Sequence, residues 1–143
     1  MNSRLLLATI SGAVVSFFMG WFLYGILLKS FMDAHTMQYI GLIKEMPNIF
    51  VIFFGSLFMA FLLAFVFLVF QRWMGFKTII KGMTGGMTLA FFMSLSFYLY
   101  FIAMMNLYSF PALVTDFLVS AVIGALIGGI TGWILGFEKK AVK

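Results

Sequence analysis

Charge is what this chain has least of. Only 9% of its 143 residues are Asp, Glu, Lys or Arg, where a soluble domain carries about 25%. So few charges cannot cover a water-facing surface. Hydrophobic residues make up 64% of the chain and the mean hydropathy is +1.16. The expected surroundings are therefore membrane lipid, and the length fits one domain. Cysteine is absent, which removes disulfides, iron–sulfur clusters and thiolate zinc sites. The single histidine, His35, gives no basis for a zinc or copper centre in one chain. No cofactor and no metal are expected. Enzyme signatures are missing too: there is no GxSxG, Walker loop, HExxH or dinucleotide fingerprint. The glycine-rich run from Gly82 to Gly86 opens an apolar helix rather than a strand–turn–helix. A non-enzymatic protein is the expectation.

Four long apolar stretches remain: 5–28, 48–70, 82–105 and 112–136. Each has the roughly 20 residues needed to cross about 30 Å of hydrocarbon, and none holds a Lys or Arg. Runs such as 50–54 and 61–70 do not alternate as barrel strands do. The spacing predicts an all-α, antiparallel up-down four-helix bundle, one domain over 1–143. The first stretch is long and lacks a small-x-small site before Lys29, so it reads as a retained span rather than a signal peptide.

The net charge of +5 does not point to nucleic acid, because the basic residues are scattered at span ends, where anionic headgroups lie. Seven of nine fall on one side: Arg4, Arg72, Lys77, Lys81, Lys139, Lys140 and Lys143; Lys29 and Lys44 fall on the other. The positive-inside rule then puts both termini in the cytoplasm. Tyr24, Tyr39, Tyr98, Tyr100 and Tyr108 fall in the outer half, and Trp73 and Trp133 near the inner face. Short loops suggest a bacterial inner membrane. The outer 29–47 loop mixes Phe31, Met32, Tyr39, Ile40, Ile43 and Met46 with Lys29, Asp33, His35, Gln38, Lys44 and Glu45. It is expected to lie on the surface as a short helix, with Pro47 opening the second span.

Small residues recur every fourth position. The first span has Ala8, Gly12, Ser16 and Gly20, and the second Ser56, Ala60 and Ala64. The third has Gly82, Gly86, Ala90 and Ser94, and the fourth Ser120, Gly124, Gly128, Gly132 and Gly136. Residues four apart share a helix face. In lipid, where apolar side chains gain little by association, such faces bring helices together. These glycine-zipper stripes predict a tight bundle, with the contacts made within one chain or between copies in a homo-oligomer.

Each stripe, extended by its own period, ends on a polar or aromatic group. Tyr24 follows Gly20, Tyr98 follows Ser94, Asp116 precedes Ser120, and Asn48 precedes Ser56 with Ile52 between. All four fall toward the outer end. The pattern predicts a closed inner half and an outward polar cup around Asp116, with Lys29 and His35 in reach. Asp116 is the only acid inside a span; it either caps the fourth helix at the interface or handles a proton or cation. A parallel repeat is also visible: Gly12 to Tyr24 overlays Gly86 to Tyr98, matching Phe17-Phe18-Met19 to Phe91-Phe92-Met93.

The segment Gly20-Trp21-Phe22-Leu23-Tyr24-Gly25, then Leu28-Lys29-Ser30-Phe31-Met32, Lys44-Glu45-Met46-Pro47 and the glycine-rich fourth span resemble a bacterial family of small four-span membrane proteins, catalogued as domain of unknown function 1761. Members often carry a Trp-Tyr pair followed by Ser-Pro, where this chain has Tyr24-Gly25-Ile26. The resemblance implies the four-span architecture and brings no activity. Three functions stay open: a packing, assembly or binding protein; a small transporter or channel subunit using the cup; and a membrane enzyme.

Overall fold

The computed structural model describes residues 3–37, 39, 48–75, 77–104 and 107–136, with 71–74 described by backbone alone. Residues 38 and 40–47 of the outer loop, with Lys44 and Pro47 among them, and Met105, Lys139, Lys140 and Lys143 lie outside the described residues. Among those described, the chain is all-α. Helix α1 (Ser3–Phe22) passes through a π-helical turn (Leu23–Leu27) into the short α2 (Lys29–His35). Helices α3 (Ile49–Met74), α4 (Ile79–Met104) and α5 (Phe110–Gly136) follow. Four segments of 22 to 27 residues are long and apolar enough to cross a membrane. This is an integral membrane protein.

Local chemistry sets where the spans begin. The Asn48 side-chain oxygen accepts the Val51 N–H at 3.2 Å and caps α3. Thr78 Oγ1 accepts the Lys81 N–H at 3.3 Å, so α4 starts at Ile79, before the expected 82. Gly75, with φ +64°, takes the left-handed turn that closes α3. Helix α5 begins at Phe110 rather than 112 and holds Pro111 in its first turn, where no intrahelical N–H is needed. Hydroxyls on the lipid-exposed face of α4 satisfy themselves: Thr84 donates to the Lys81 carbonyl at 3.0 Å and Thr88 to that of Thr84 at 2.8 Å.

The first span departs from one regular helix. The Leu28 N–H donates to the Leu23 carbonyl at 2.7 Å, five residues back, and α1 gives way to α2 at Leu28. A π turn adds the equivalent of one residue, about 100° of rotation, to everything after it.

Two antiparallel hairpins form, α1 with α3 and α4 with α5, and α5 packs on α1. The α4–α5 contact is backbone on backbone. A Cβ on Gly128 would sit 2.7 Å from the Gly86 Cα, and one on Gly132 would sit 2.7 Å from the Thr78 carbonyl oxygen. Gly82, Gly124 and Gly136 are equally filled. The α1–α3 crossing is looser: a Cβ on Gly12 would lie 3.1 Å from the Ala60 Cβ and 3.0 Å from Ile127 on α5. With Ser56, Ala60 and Ala64 of the second span laid over Ser120, Gly124 and Gly128 of the fourth, the crossings Gly12 on Ala60 and Gly86 on Gly124 correspond.

The inter-hairpin contacts are not equivalent. Helix α5 packs against α1, while α3 and α4 barely touch. The two buried clusters draw on α1, α3 and α5: Ala13, Ala60, Leu63, Phe67, Ile127 and Leu135 in one, Leu5, Ala8, Ala64 and Ile134 in the other. Both lie mainly toward the end away from α2. At the α2 end the helices part, and the small-residue stripe of α1 stops acting as a contact. A Cβ on Gly20 would meet nothing within 4 Å, and Ser16, Gly20 and Ser56 instead line a cavity of about 830 Å³ between α1 and α3. The expectation of unbroken packing stripes is corrected there: Phe17 and Phe53, whose ring centroids lie 5.8 Å apart, bridge α1 and α3 beside the small residues.

Gly128→Ala is expected to cost about 1–3 kcal/mol through overpacking. Gly20→Ala is expected to be neutral or to gain up to about 1 kcal/mol from helix propensity. Unfolding in mixed detergent micelles distinguishes the two.

Candidate functional site

The divergence of α3 from α4 leaves a second cavity, of about 610 Å³, at the α2 end. Helix α5 forms its back wall, from Ala112 through Asp116, Ser120 and Gly124 to Ile127. Helix α4 supplies Ala90, Met93, Ser94, Phe97, Tyr98 and Phe101, and α3 supplies Met59 and Leu63. Tyr24 enters from the π turn, Met32 from α2, and Tyr108 from the α4–α5 connection. Gly124 and Ile127 also belong to the packed core, so the cavity ends where the close helix contacts begin.

Asp116 accepts a hydrogen bond from the Tyr24 hydroxyl, joining α5 to α1 across 92 residues of sequence. Ser120, one turn along α5, lines the same cavity. Tyr24 and Asp116 thus form a polar pair at the mouth of the close-packed region. Asp116 sits six residues after Phe110, about 9 Å along the axis, beyond the first four N–H groups that a capping side chain could serve. Its role as a helix cap is therefore excluded by position; Ser109 occupies the cap position, its backbone oxygen taking the Leu113 N–H at 3.1 Å. Ser94 turns its hydroxyl back to the Ala90 carbonyl, which keeps α4 satisfied on its cavity side.

Of the six residues expected in the cup, Tyr24, Tyr98 and Asp116 line this one cavity. Asn48, Lys29 and His35 do not. Asn48 is spent on capping α3. Lys29 pairs with Asp33 at 3.4 Å, with both side chains well exposed. His35 places Nδ1 2.8 Å from the Phe31 carbonyl and stacks on the Phe31 ring at 4.3 Å. Lys29 and His35 lie on α2, a separate short helix that starts after the chain leaves helical geometry at Leu28. Asn48 is removed by its position one residue outside α3.

Sequence reasoning missed the enclosing elements. Thr36 and Tyr108 form an antiparallel bridge, with the Met37 N–H on the Leu107 carbonyl at 2.9 Å and the Ser109 N–H on the His35 carbonyl at 3.0 Å. The bridge ties the segment after α2 to the start of α5 and sets Met32 and Tyr108 against the cavity. Two isolated connections carry no periodicity that would announce their pairing. Among the described residues no group of three potential metal ligands gathers. Comparison with known proteins returns no matching family model, no matching curated protein and no matching solved structure.

Tyr24→Phe is expected to destabilise the protein by about 1 kcal/mol, the usual scale of an interhelical hydrogen bond in a membrane protein. The effect should vanish in an Asp116→Ala background, which removes the acceptor, if the two groups act only through each other; a double-mutant cycle reads this directly. Lys29→Ala should stay within about 0.5 kcal/mol, as exposed pairs do.

Proposed function

We propose that this protein is a non-enzymatic, membrane-embedded binding protein whose ligand occupies the cavity bounded by α3, α4 and α5. The observation that carries the reading is a half-open, mostly apolar space of about 610 Å³ lined by one carboxylate that holds the Tyr24 hydroxyl. Ligand sites have this scale and this composition: mostly apolar walls, with a few polar groups that fix orientation. A carboxylate inside a membrane is expensive and is a functional candidate by default. His35 stacks on Phe31 and does not line the cavity.

Transport is the second reading, favoured by Tyr24, which borders both cavities at the α2 end. Against it, the far half of the bundle is filled by Phe67, Ile127, Leu135 and the glycine contacts of α4 and α5. Passage would require those helices to part. The basic residues favour an orientation with the cavity facing away from the cytoplasm. Contact between copies in a homo-oligomer would use lipid-exposed faces such as that of α3.

Native mass spectrometry from nanodiscs tests the binding reading. Wild type is expected to retain a small molecule or lipid, and Ser94→Phe, which projects a ring into the cavity, to lose it. Equal retention by both would refute the assignment.

A further inference from the structure

The cavity walls are unbalanced in charge. Among the described residues, Asp116 is the one acid that lines the space, and no Lys, Arg or His is on the same walls. An anionic head would meet a carboxylate with no cation to offset it, at a depth where Coulomb interactions are weakly screened. A divalent metal favours several carboxylate or carbonyl oxygens or imidazole nitrogens, and among the described lining residues Asp116 is the one side chain of those kinds. A wholly apolar ligand would leave Asp116 facing it with no gain. Tyr24 engages Oδ1, and a carboxylate has acceptor capacity for further partners.

The rings around the carboxylate complete the argument. Tyr24, Tyr98 and Tyr108 come from three different elements and line the same space, with Phe97 and Phe101 beside them. Phe101 and Tyr108 meet edge to face, with centroids 6.2 Å apart. Aromatic faces attract organic cations, most strongly where water is excluded. Deeper in the cavity the polar groups give way to Leu63, Ile123 and Ile127. From Asp116 to Ile127 is about 16 Å along α5, enough for an extended apolar body below a charged head. The weak α3–α4 contact leaves a lateral way in for a molecule already dissolved in the bilayer.

We propose, building on the binding reading above, that the cavity takes a lipophilic organic cation, an ammonium or phosphonium head held beside Asp116 among the tyrosines with its apolar body directed toward Ile127. The probes are tetraphenylphosphonium and tetraphenylborate, which share four phenyl rings about one central atom and carry opposite charge. Equilibrium dialysis against protein-bearing nanodiscs, with protein-free nanodiscs subtracted, measures each. Saturable phosphonium binding at least tenfold tighter than borate binding is expected. Asp116→Asn should weaken the phosphonium at least fivefold and narrow the gap between the probes. Equal affinities for the two probes in wild type, or no saturable phosphonium binding, would overturn the proposal; neither outcome depends on a variant folding. If the probes bind equally while wild type still retains a lipid that Ser94→Phe loses, the cation is wrong and the binding cavity survives. If retention is also unaffected by Ser94→Phe, both fall.

Discussion

Close approach of the α4 and α5 backbones is the constraint on which the rest of this structure depends. Lipid gives no hydrophobic reward for pairing two oily helices, so contact must come from dispersion at short range. Glycine at 82, 86, 124, 128, 132 and 136 removes the side chains that would hold the axes apart. Once α4 is committed to α5 by that face, it is not available to α3, and α3 packs on α1 instead. The two hairpins then meet mainly along α5 and α1, with a smaller contact of α3 on α5. The cavity is the volume that this one-sided assembly leaves between α3 and α4.

A carboxylate on α5 becomes tolerable in the same arrangement. Buried polar groups without partners cost several kcal/mol in an apolar medium, and the α1–α5 contact brings the Tyr24 hydroxyl to Asp116. The π turn that carries Tyr24 also redirects the chain into α2, which returns over the cavity and is fastened by the Thr36–Tyr108 bridge. Such turns recur at functional sites in helical proteins. One local irregularity thus positions a hydrogen-bond donor and a covering element together.

Much of this was legible in the order of residues. Apolar length alone gave four spans, because a bilayer leaves few alternatives to a helix of about 20 residues. The four-residue spacing of Gly82, Gly86, Gly124 and Gly128 pointed to close helix packing without saying which helices meet; the structure puts these glycines between α4 and α5. The same spacing misled at Ser16, Gly20 and Ser56, which line a cavity. Small residues permit approach without compelling it, and bulky neighbours such as Phe17 and Phe53 decide. Tyr24, Tyr98 and Asp116 could be brought together by extending helical periods, whereas Lys29 and His35 lie on α2, a separate short helix. The asymmetry between the α1–α5 and α3–α4 faces had no counterpart in the repeat, whose two halves look alike.

The absence of cysteine makes the asymmetry directly measurable by pairwise cysteine oxidation in nanodiscs. Met83→Cys with Gly129→Cys probes the α4–α5 contact, where a Cβ on Gly129 would lie 2.7 Å from Met83 Cγ. Met59→Cys with Met93→Cys probes the two cavity walls on α3 and α4. Rapid, near-complete disulfide formation in the first pair and little in the second is the predicted result. Comparable oxidation of both pairs would contradict the account, since it would mean that α3 and α4 pack together and that no stable cavity separates them.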